Sequence, residues 1–212
     1  MVKTVFAQLP EEMQKTLTTS AGIVLNNFDP NMELGTAETA KATLRKALMF
    51  ATSGGVNVTL SFEVVDGGED VDNAPKNTKE LAEYKSAEVK MSGTALTLTA
   101  DTAISFMGAA DKSGSEVVTI KPRLDLKLTD FKAIWYVCPY GTDGGFIAIK
   151  IDNALSTGGF NFQSEDDAKG KFSFEYTGFA SIDAPDKVPF EFYMKASAVM
   201  PAKQVQAEVK GA

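Results

Sequence analysis

The sequence predicts one mainly β domain, a β-sandwich or barrel-like fold with one or two short helices and a long loop insertion. Three observations support this. The chain has 212 residues, enough for one sizeable core. Its content of 44% hydrophobic and 23% charged residues is ordinary for a globular protein. Short alternating runs bounded by Gly, Pro and Asn clusters recur along it. We expect the domain to cover residues 1–195, with residues 196–212 as a C-terminal tail that is loosely ordered or contacts a neighbour.

The N-terminal part of the chain has both helix-like and strand-like segments. A helical turn is predicted in LPEEMQKTL, and a short strand in AGIVLNNFDP, which ends in a turn-forming cluster. TAETAKATLRKALMFA has Thr36 as a possible N-cap and an apolar face that includes Leu44, so it predicts a helix. SGGVNVTLSFEVV then alternates from Val56 to Phe62 and predicts a half-buried strand.

Residues 66–85 predict a long loop. The segment is polar, begins with glycines and is interrupted by Pro75. Its acids invite a calcium interpretation, but their spacing does not match an EF-hand loop, so no metal is expected. Its lysines alternate with Glu80 and Glu83, which argues against a basic nucleic-acid patch.

The rest of the chain continues as strands around one helix. EVKMSG and TALTLTA are strand-like, and TADTAISFMGAA predicts a short capped helix with Gly108 near its end. Further strands are predicted in SEVVTIKPR, DFKAIWYVCPY, FIAIKI and VPFEFYMKA, with GTDGG as a turn before FIAIKI. Trp135 is expected in the core rather than in a carbohydrate site.

Residues 153–179 predict an aromatic-rich hairpin. Alternation places five aromatic side chains on a single face: Phe160, Phe162, Phe172, Phe174 and Tyr176. We expect the domain's own second layer to cover this face. The opposite face carries small or polar side chains, Asn161, Gln163, Ser173, Glu175 and Thr177. This second face is predicted to be a wetted sheet surface with little positive charge.

Composition excludes several functional classes. The chain has no histidine, which removes imidazole bases and histidine metal ligands. Its one cysteine, Cys138, lies in an apolar run and is expected to be a buried hydrophobe. A formal charge of −7 disfavours tight binding to phosphates, which needs lysine and arginine. The N-terminus lacks signal-peptide features and no apolar run could span a bilayer, so we expect a cytoplasmic product. Because histidine chemistry is absent and no catalytic pair stands out, we expect no enzymatic activity and no cofactor.

Three stretches together resemble the major tail protein, or tail tube protein, of long-tailed bacteriophages and prophages. They are GGVNVTLSFEVVDGGEDVDNAPKNTKEL, SAEVKMSGTALTLTADTAISFMGAAD and GGFIAIKIDNALSTGGFNFQSEDDAKGKFSFEYTGFASIDAPDKVPFEFYM. The resemblance covers roughly residues 15–195. It rests on the order and the combined residue pattern of these stretches rather than on a chemical motif.

The resemblance implies a tail tube fold, a β-sandwich with a flanking helix. Six copies would close into a ring, and rings would stack into a tube in the virion tail through which DNA leaves without specific binding. Other tail proteins (tape measure, tail terminator and distal tail) would be partners. Candidate inter-ring residues are Asp66, Glu69, Asp70, Asp72, Lys76 and Lys79. Candidate lumen-facing residues are Asn161, Gln163, Ser173, Glu175 and Thr177.

Alternative interpretations remain open at this point. The inner tube of a contractile tail or of a bacteriocin-like particle follows the same logic. A β-sandwich binding or adhesion module would be a monomer with exposed aromatic side chains. A carboxylate-based enzyme would need two facing acids in a cleft, and no pair in the sequence stands out.

Overall fold

The computed structural model describes residues 21–32, 38–68, 71–73, 75–141, 145–164 and 166–195. The mainly β prediction is confirmed. The described strands are β1 Ile23–Leu25, β2 Leu48–Phe50, β3 Thr52–Asp66, β4 Ala82–Ala95, β5 Ala110–Ser113, β6 Thr119–Pro122, β7 Lys132–Tyr140, β8 Gly145–Ser156, β9 Asn161–Gln163, β10 Lys171–Gly178 and β11 Phe190–Lys195. The described helices are α1 Glu38–Ala47, α2 Ala100–Met107 and a 3-10 turn at Leu128–Asp130. Predictions for LPEEMQKTL, Thr36 and the tail 196–212 fall outside the described residues.

One antiparallel sheet forms the body of the domain. Its strand order is β2-β1-β7-β8-β10-β4-β3, with β11 also paired to β8 and β9 to β10. The two strands at its ends, β2 and β3, are consecutive in the chain and separated only by Ala51. The sheet must therefore curl, and its main core draws on β1, β2, β4, β7, β8, β10 and α2: Val24, Phe50, Val89, Met91, Ala95, Phe106, Ile134, Ile151, Ala154, Phe174 and Tyr176.

A second, smaller core lies on the other face of β1, β7 and β8. It contains Trp135, which is only 6% exposed, together with Phe146 and Ala47 at the end of α1. Trp135 is a core residue, as predicted. Cys138 is also buried, which confirms the prediction, and burial raises the pKa of its thiol.

The sequence prediction was wrong about the extent of the loop at 66–85. Asp66 ends β3, residues 82–85 belong to β4, and the two strands form a long hairpin whose connecting segment is 67–81. The 82–88 stretch of β4 has no apolar run to mark it as a strand. Backbone pairing with β3 holds it extended, from Val65 opposite Glu83 to Ser61 opposite Glu88.

Two other elements differ from expectation. The first helix ends at Ala47, earlier than predicted, because residues 48–50 pair with β1 and bury Phe50 in the core. Strand β5 was not predicted; it forms a separate two-stranded sheet with β6. The helix α2 is as expected: the Thr99 hydroxyl accepts a hydrogen bond from the Thr102 amide at 3.2 Å, and Gly108 ends the helix with φ at 77°.

Candidate functional site: a polar sheet face and an uncovered hairpin

The five candidate lumen-facing residues lie on one face of β9 and β10. Ser173 pairs with Asn161 in register, and Gln163 pairs with Lys171 two positions along. Since side chains alternate along a strand, Glu175 and Thr177 project on the same side as Ser173. All of these side chains are exposed or partly exposed, as a wetted surface requires.

This polar face continues over β4 and β3. Thr177 lies opposite Lys90, which lies opposite Thr59; Glu175 lies opposite Ser92, which lies opposite Asn57. We define the polar face by these side chains: Asn57, Thr59, Ser61, Glu88, Lys90, Ser92, Thr94, Asn161, Gln163, Ser173, Glu175 and Thr177. Sequence reasoning found the β9 and β10 half and missed the rest. The signal for β3 was present, since SGGVNVTLSF alternates Asn, Thr and Ser with its apolar residues.

The charges on this face neutralise one another. Lys90 Nζ lies 2.5 Å from Glu88 Oε1, and hydrogen bonding to Glu88, aided by the negative charge of Glu175, raises the pKa of Lys90. Glu175 accepts a hydrogen bond from the Thr157 hydroxyl at 3.2 Å. Lys171, at the margin of the face, also has an interaction partner. The polar face is therefore close to neutral and presents its lysines already engaged.

The reverse side of the same strands faces the core at one end. Phe174 and Tyr176 are buried and contact Phe106 of α2, at ring-centroid distances of 6.1 and 6.4 Å. The prediction that the whole aromatic face is covered was wrong for the other end. Phe160 and Phe162 remain 42% and 53% exposed, and both rings pack on Phe172.

Beyond the core the β3–β4 hairpin projects with its apolar face uncovered. Within the described residues β4 pairs with β10 only as far as Val89, so the distal part has two strands and no third. Three side chains there form what we call the hairpin stripe: Phe62 (43% exposed), Val64 (60%) and Tyr84 (73%). The rings of Phe62 and Tyr84 contact each other at 4.7 Å. On the opposite side Glu63 binds Lys85 at 2.9 Å and Ser86 at 3.0 Å.

The segment that joins the two strands has a defined internal structure. The carboxylate of Asp66 accepts hydrogen bonds from the amides of Gly68 at 2.9 Å and Asn77 at 2.8 Å. These bonds, the one from Asn77 first, lower the pKa of Asp66. Asp66 thus makes its contacts within the loop. Asp72, Lys76 and Lys79 are exposed, and Lys79 Nζ lies 3.3 Å from Glu80 Oε1. The other two candidate inter-ring residues, Glu69 and Asp70, lie outside the described residues.

Among the residues that the structure describes, no cluster of cysteine or carboxylate side chains could hold a metal ion. Likewise, none of the described helices combines the length and apolarity needed to cross a membrane. The polar face offers hydroxyl, amide and paired charged groups, which suit contact with water.

Comparison with known proteins gives only distant structural similarity. No family model matches the chain, and no curated protein matches it. A chain of the virion of a native gene transfer agent particle is similar with a TM-score of 0.37 and 10% identity, covering 82% of this chain and 95% of that one. A chain of the tail of an empty gene transfer agent particle, from helical refinement with C6 symmetry, has a TM-score of 0.36 and 9% identity, covering 76% and 92%. Similarity at this level establishes neither a family nor a shared function.

Proposed function

We propose that this protein is a structural subunit of a bacteriophage tail, six copies of which close into rings that stack into a tube for the passage of DNA. The observation that carries the proposal is the pairing of two unlike surfaces on one hairpin. One side is a polar, nearly neutral face, and the other is an apolar stripe that continues out of the core and is left exposed by the described residues. The resemblance of the sequence to tail tube proteins points the same way.

The polar face suits the wall of a channel for DNA. Unpaired lysine and arginine would bind phosphates and hold the polymer, more tightly as salt falls. The lysines of the polar face are engaged: Lys90 binds Glu88, and on the distal continuation Lys85 binds Glu63. Hydroxyl and amide groups hold water at the surface instead. Such a wall lets DNA pass without gripping it or reading its sequence.

The outer edge of β3 and the β3–β4 hairpin suit the assembly of several copies. Within the described residues no strand pairs with the outer edge of β3, a strand of 15 residues. An unpaired edge of that length invites pairing with another chain, and closing several copies into a barrel removes it. Contacts that close by rotation give rings, and contacts that repeat by translation give filaments. In this proposal the β3 edge serves the ring, and the hairpin with its loop serves the stack.

Purified protein at increasing concentration tests the proposal directly. We expect rings or hollow rods in negative-stain electron microscopy and a matching high-mass species in analytical ultracentrifugation. Replacing residues 67–81 with a short turn should leave the sheet folded and the rings intact while it stops rod growth. A protein that stays monomeric at every concentration contradicts the proposal and favours the binding-module alternative. Rods in a particle that also has an outer sheath would place the protein in a contractile tail.

The channel assignment has its own test. Asn57→Lys, Ser92→Lys and Thr177→Lys add positive charge to the polar face, and assembled rods of this variant should retain duplex DNA in a salt-dependent manner. The matched control carries three lysines on an exposed loop away from the face, at Ser181, Ile182 and Ala184. If both variants retain DNA equally, or if wild-type rods already do so, the polar face does not line the channel.

A further inference from the structure

A second apolar surface lies uncovered on β8 and β11. The inward sides of these strands contribute Ile151 and Phe190 to the main core. Away from the core the same side continues with two further pairs in register. Ile149 lies opposite Phe192, and Ile147 lies opposite Met194. Phe192 is 54% exposed and Met194 57%, and both isoleucines are partly exposed. We call these four residues the receptor face.

The receptor face and the hairpin stripe extend towards the same end of the sheet. All the pairings from β3 through β4, β10 and β8 to β11 are antiparallel, so β3 and β11 run in the same direction. Along that direction β3 passes from the covered Leu60 to the exposed Phe62, and β11 passes from the covered Phe190 to the exposed Phe192. Both layers therefore leave the core at one end of the domain.

The main core brings together the two layers that carry these surfaces. Val58 and Leu60 of β3 pack against the same cluster that contains Ile151 of β8, and Phe190 of β11 packs against it too. The hairpin stripe and the receptor face are the continuations of these two layers, and both carry aromatic and aliphatic side chains. In one copy they remain exposed, so neither covers the other.

We propose that the hairpin stripe of one copy packs on the receptor face of a second copy, so that the sandwich core continues from subunit to subunit. This inference rests on the proposed function and names the surface that receives the hairpin. The contact joins unlike surfaces, so each copy can give its hairpin stripe to one neighbour and receive the hairpin stripe of another. The seven side chains would bury on the order of 700 Å² of apolar surface, about half of a standard interface, and the loop and edge contacts would supply the remainder.

Disulfide trapping between two single-cysteine variants tests the contact. Cys138→Ala removes the natural thiol from both. One chain carries Tyr84→Cys and the other, of different mass through a tag, carries Met194→Cys. Docking raises the effective concentration of the two thiols, so we expect the mixed dimer to form at least about tenfold faster than with the matched partner Ile182→Cys. Ile182 is 95% exposed and lies on neither surface.

Complementation provides a second readout. Phe62→Ser with Tyr84→Ser removes the hairpin stripe, and Phe192→Ser with Met194→Ser removes the receptor face. All four side chains are exposed, so both variants should fold, which circular dichroism checks. Neither variant alone should form rods, whereas a mixture restores one intact contact and should associate into larger species than either variant forms alone. Mixtures that stay unpaired overturn the inference.

The outcomes separate this inference from the proposed function. Rods without the mixed disulfide leave the tube proposal standing and overturn the docking. The mixed disulfide without rings or rods supports the docking and overturns the tube proposal. A disulfide rate equal to that of the Ile182→Cys control also overturns the docking, because the receptor face is then covered by something else, such as residues 196–212 of the same chain.

Discussion

The inner face of the sheet has a covered region and an uncovered region, and both follow the same residue pattern. Met91 and Val89 of β4 are fully buried under α2 and the opposite layer. A few residues further along the hairpin, Phe62 and Tyr84 continue the alternation with about half or more of their surface in contact with solvent. Alternation thus determines which side of a strand is apolar, and a second layer determines whether that side is buried. Since an isolated two-stranded hairpin is marginally stable, we expect the uncovered region to need contacts beyond the described residues of one copy.

The largest effect should come from truncating a methionine in the covered region. Met91→Ala leaves a cavity in the main core and is expected to lower the free energy of unfolding by about 2–5 kcal/mol. Met194→Ala makes the same change on the receptor face, where the side chain is 57% exposed, and should cost less than about 0.5 kcal/mol in the monomer. Urea denaturation of unassembled protein measures both. Equal losses would mean that the receptor face is covered within one copy.

The next effect concerns a cluster of charges on β8 and β11, in which Lys150 Nζ lies 2.8 Å from Asp152 Oδ1 and 3.5 Å from Glu191 Oε2. Glu191 accepts hydrogen bonds from the Tyr193 hydroxyl at 2.5 Å and from Lys187 at 2.9 Å, and these lower its pKa to about 2. A lowered pKa means that Glu191 stabilises the fold above about pH 4.5 and that this contribution is lost as the pH falls towards 2. Glu191→Gln should cost about 1–2 kcal/mol at neutral pH.

The same substitution should also flatten the acid limb of the stability curve. Glu83→Gln on the exposed part of β4 is the matched control and should change neither the neutral value nor the acid limb. Denaturation series at pH 7, 4 and 3 compare the variants. An unchanged acid slope in Glu191→Gln would show that other carboxylates govern the acid sensitivity.

The sequence predicted the strands of the covered region better than those of the hairpin. Val56, Val58, Leu60 and Phe62 alternate clearly, so β3 was found, whereas the first residues of β4, from Ala82 to Lys85, have no apolar run and were assigned to a loop. Backbone pairing with β3, rather than burial, makes that stretch a strand. Pairing partners distant in sequence leave no trace in local composition.

Half of the candidate site could be found by the same reasoning. The polar side of β9 and β10 followed from alternation alone, and the structure places all five predicted residues on one face. The extension through Lys90 and Asn57 required the register between β10, β4 and β3. The exposure of Phe160 and Phe162 could not be predicted, because alternation shows which side of a strand is apolar and not whether a second layer covers it. Whether the face lines a channel stays a prediction.

A smaller effect is expected from a buried hydroxyl. The Tyr176 hydroxyl lies 2.8 Å from that of Ser105, and burial raises the pKa of Tyr176. Tyr176→Phe leaves Ser105 without this partner and should cost about 1 kcal/mol. Tyr84→Phe is the matched change on the hairpin stripe and should leave the stability of the monomer unaltered. Thermal denaturation of both variants distinguishes them. A loss in Tyr84→Phe as large as that in Tyr176→Phe would place the Tyr84 hydroxyl in a contact within the monomer.

The smallest effect on global stability should arise at the tip of the hairpin. Asp66→Asn weakens the hydrogen bonds that the carboxylate accepts from Gly68 and Asn77. Because those bonds also lower the pKa of Asp66, the ordering they provide is present above the usual aspartate pKa and is lost as the pH falls below it. We expect faster limited proteolysis within residues 67–81 at neutral pH and a change of less than about 0.5 kcal/mol in the free energy of unfolding. Asp72→Asn, an exposed change in the same loop, should alter neither. If Asp66→Asn instead destabilises the whole domain as much as Met91→Ala does, the loop folds together with the core, and the hairpin tip is part of the domain's own stability rather than a surface held ready for a second copy.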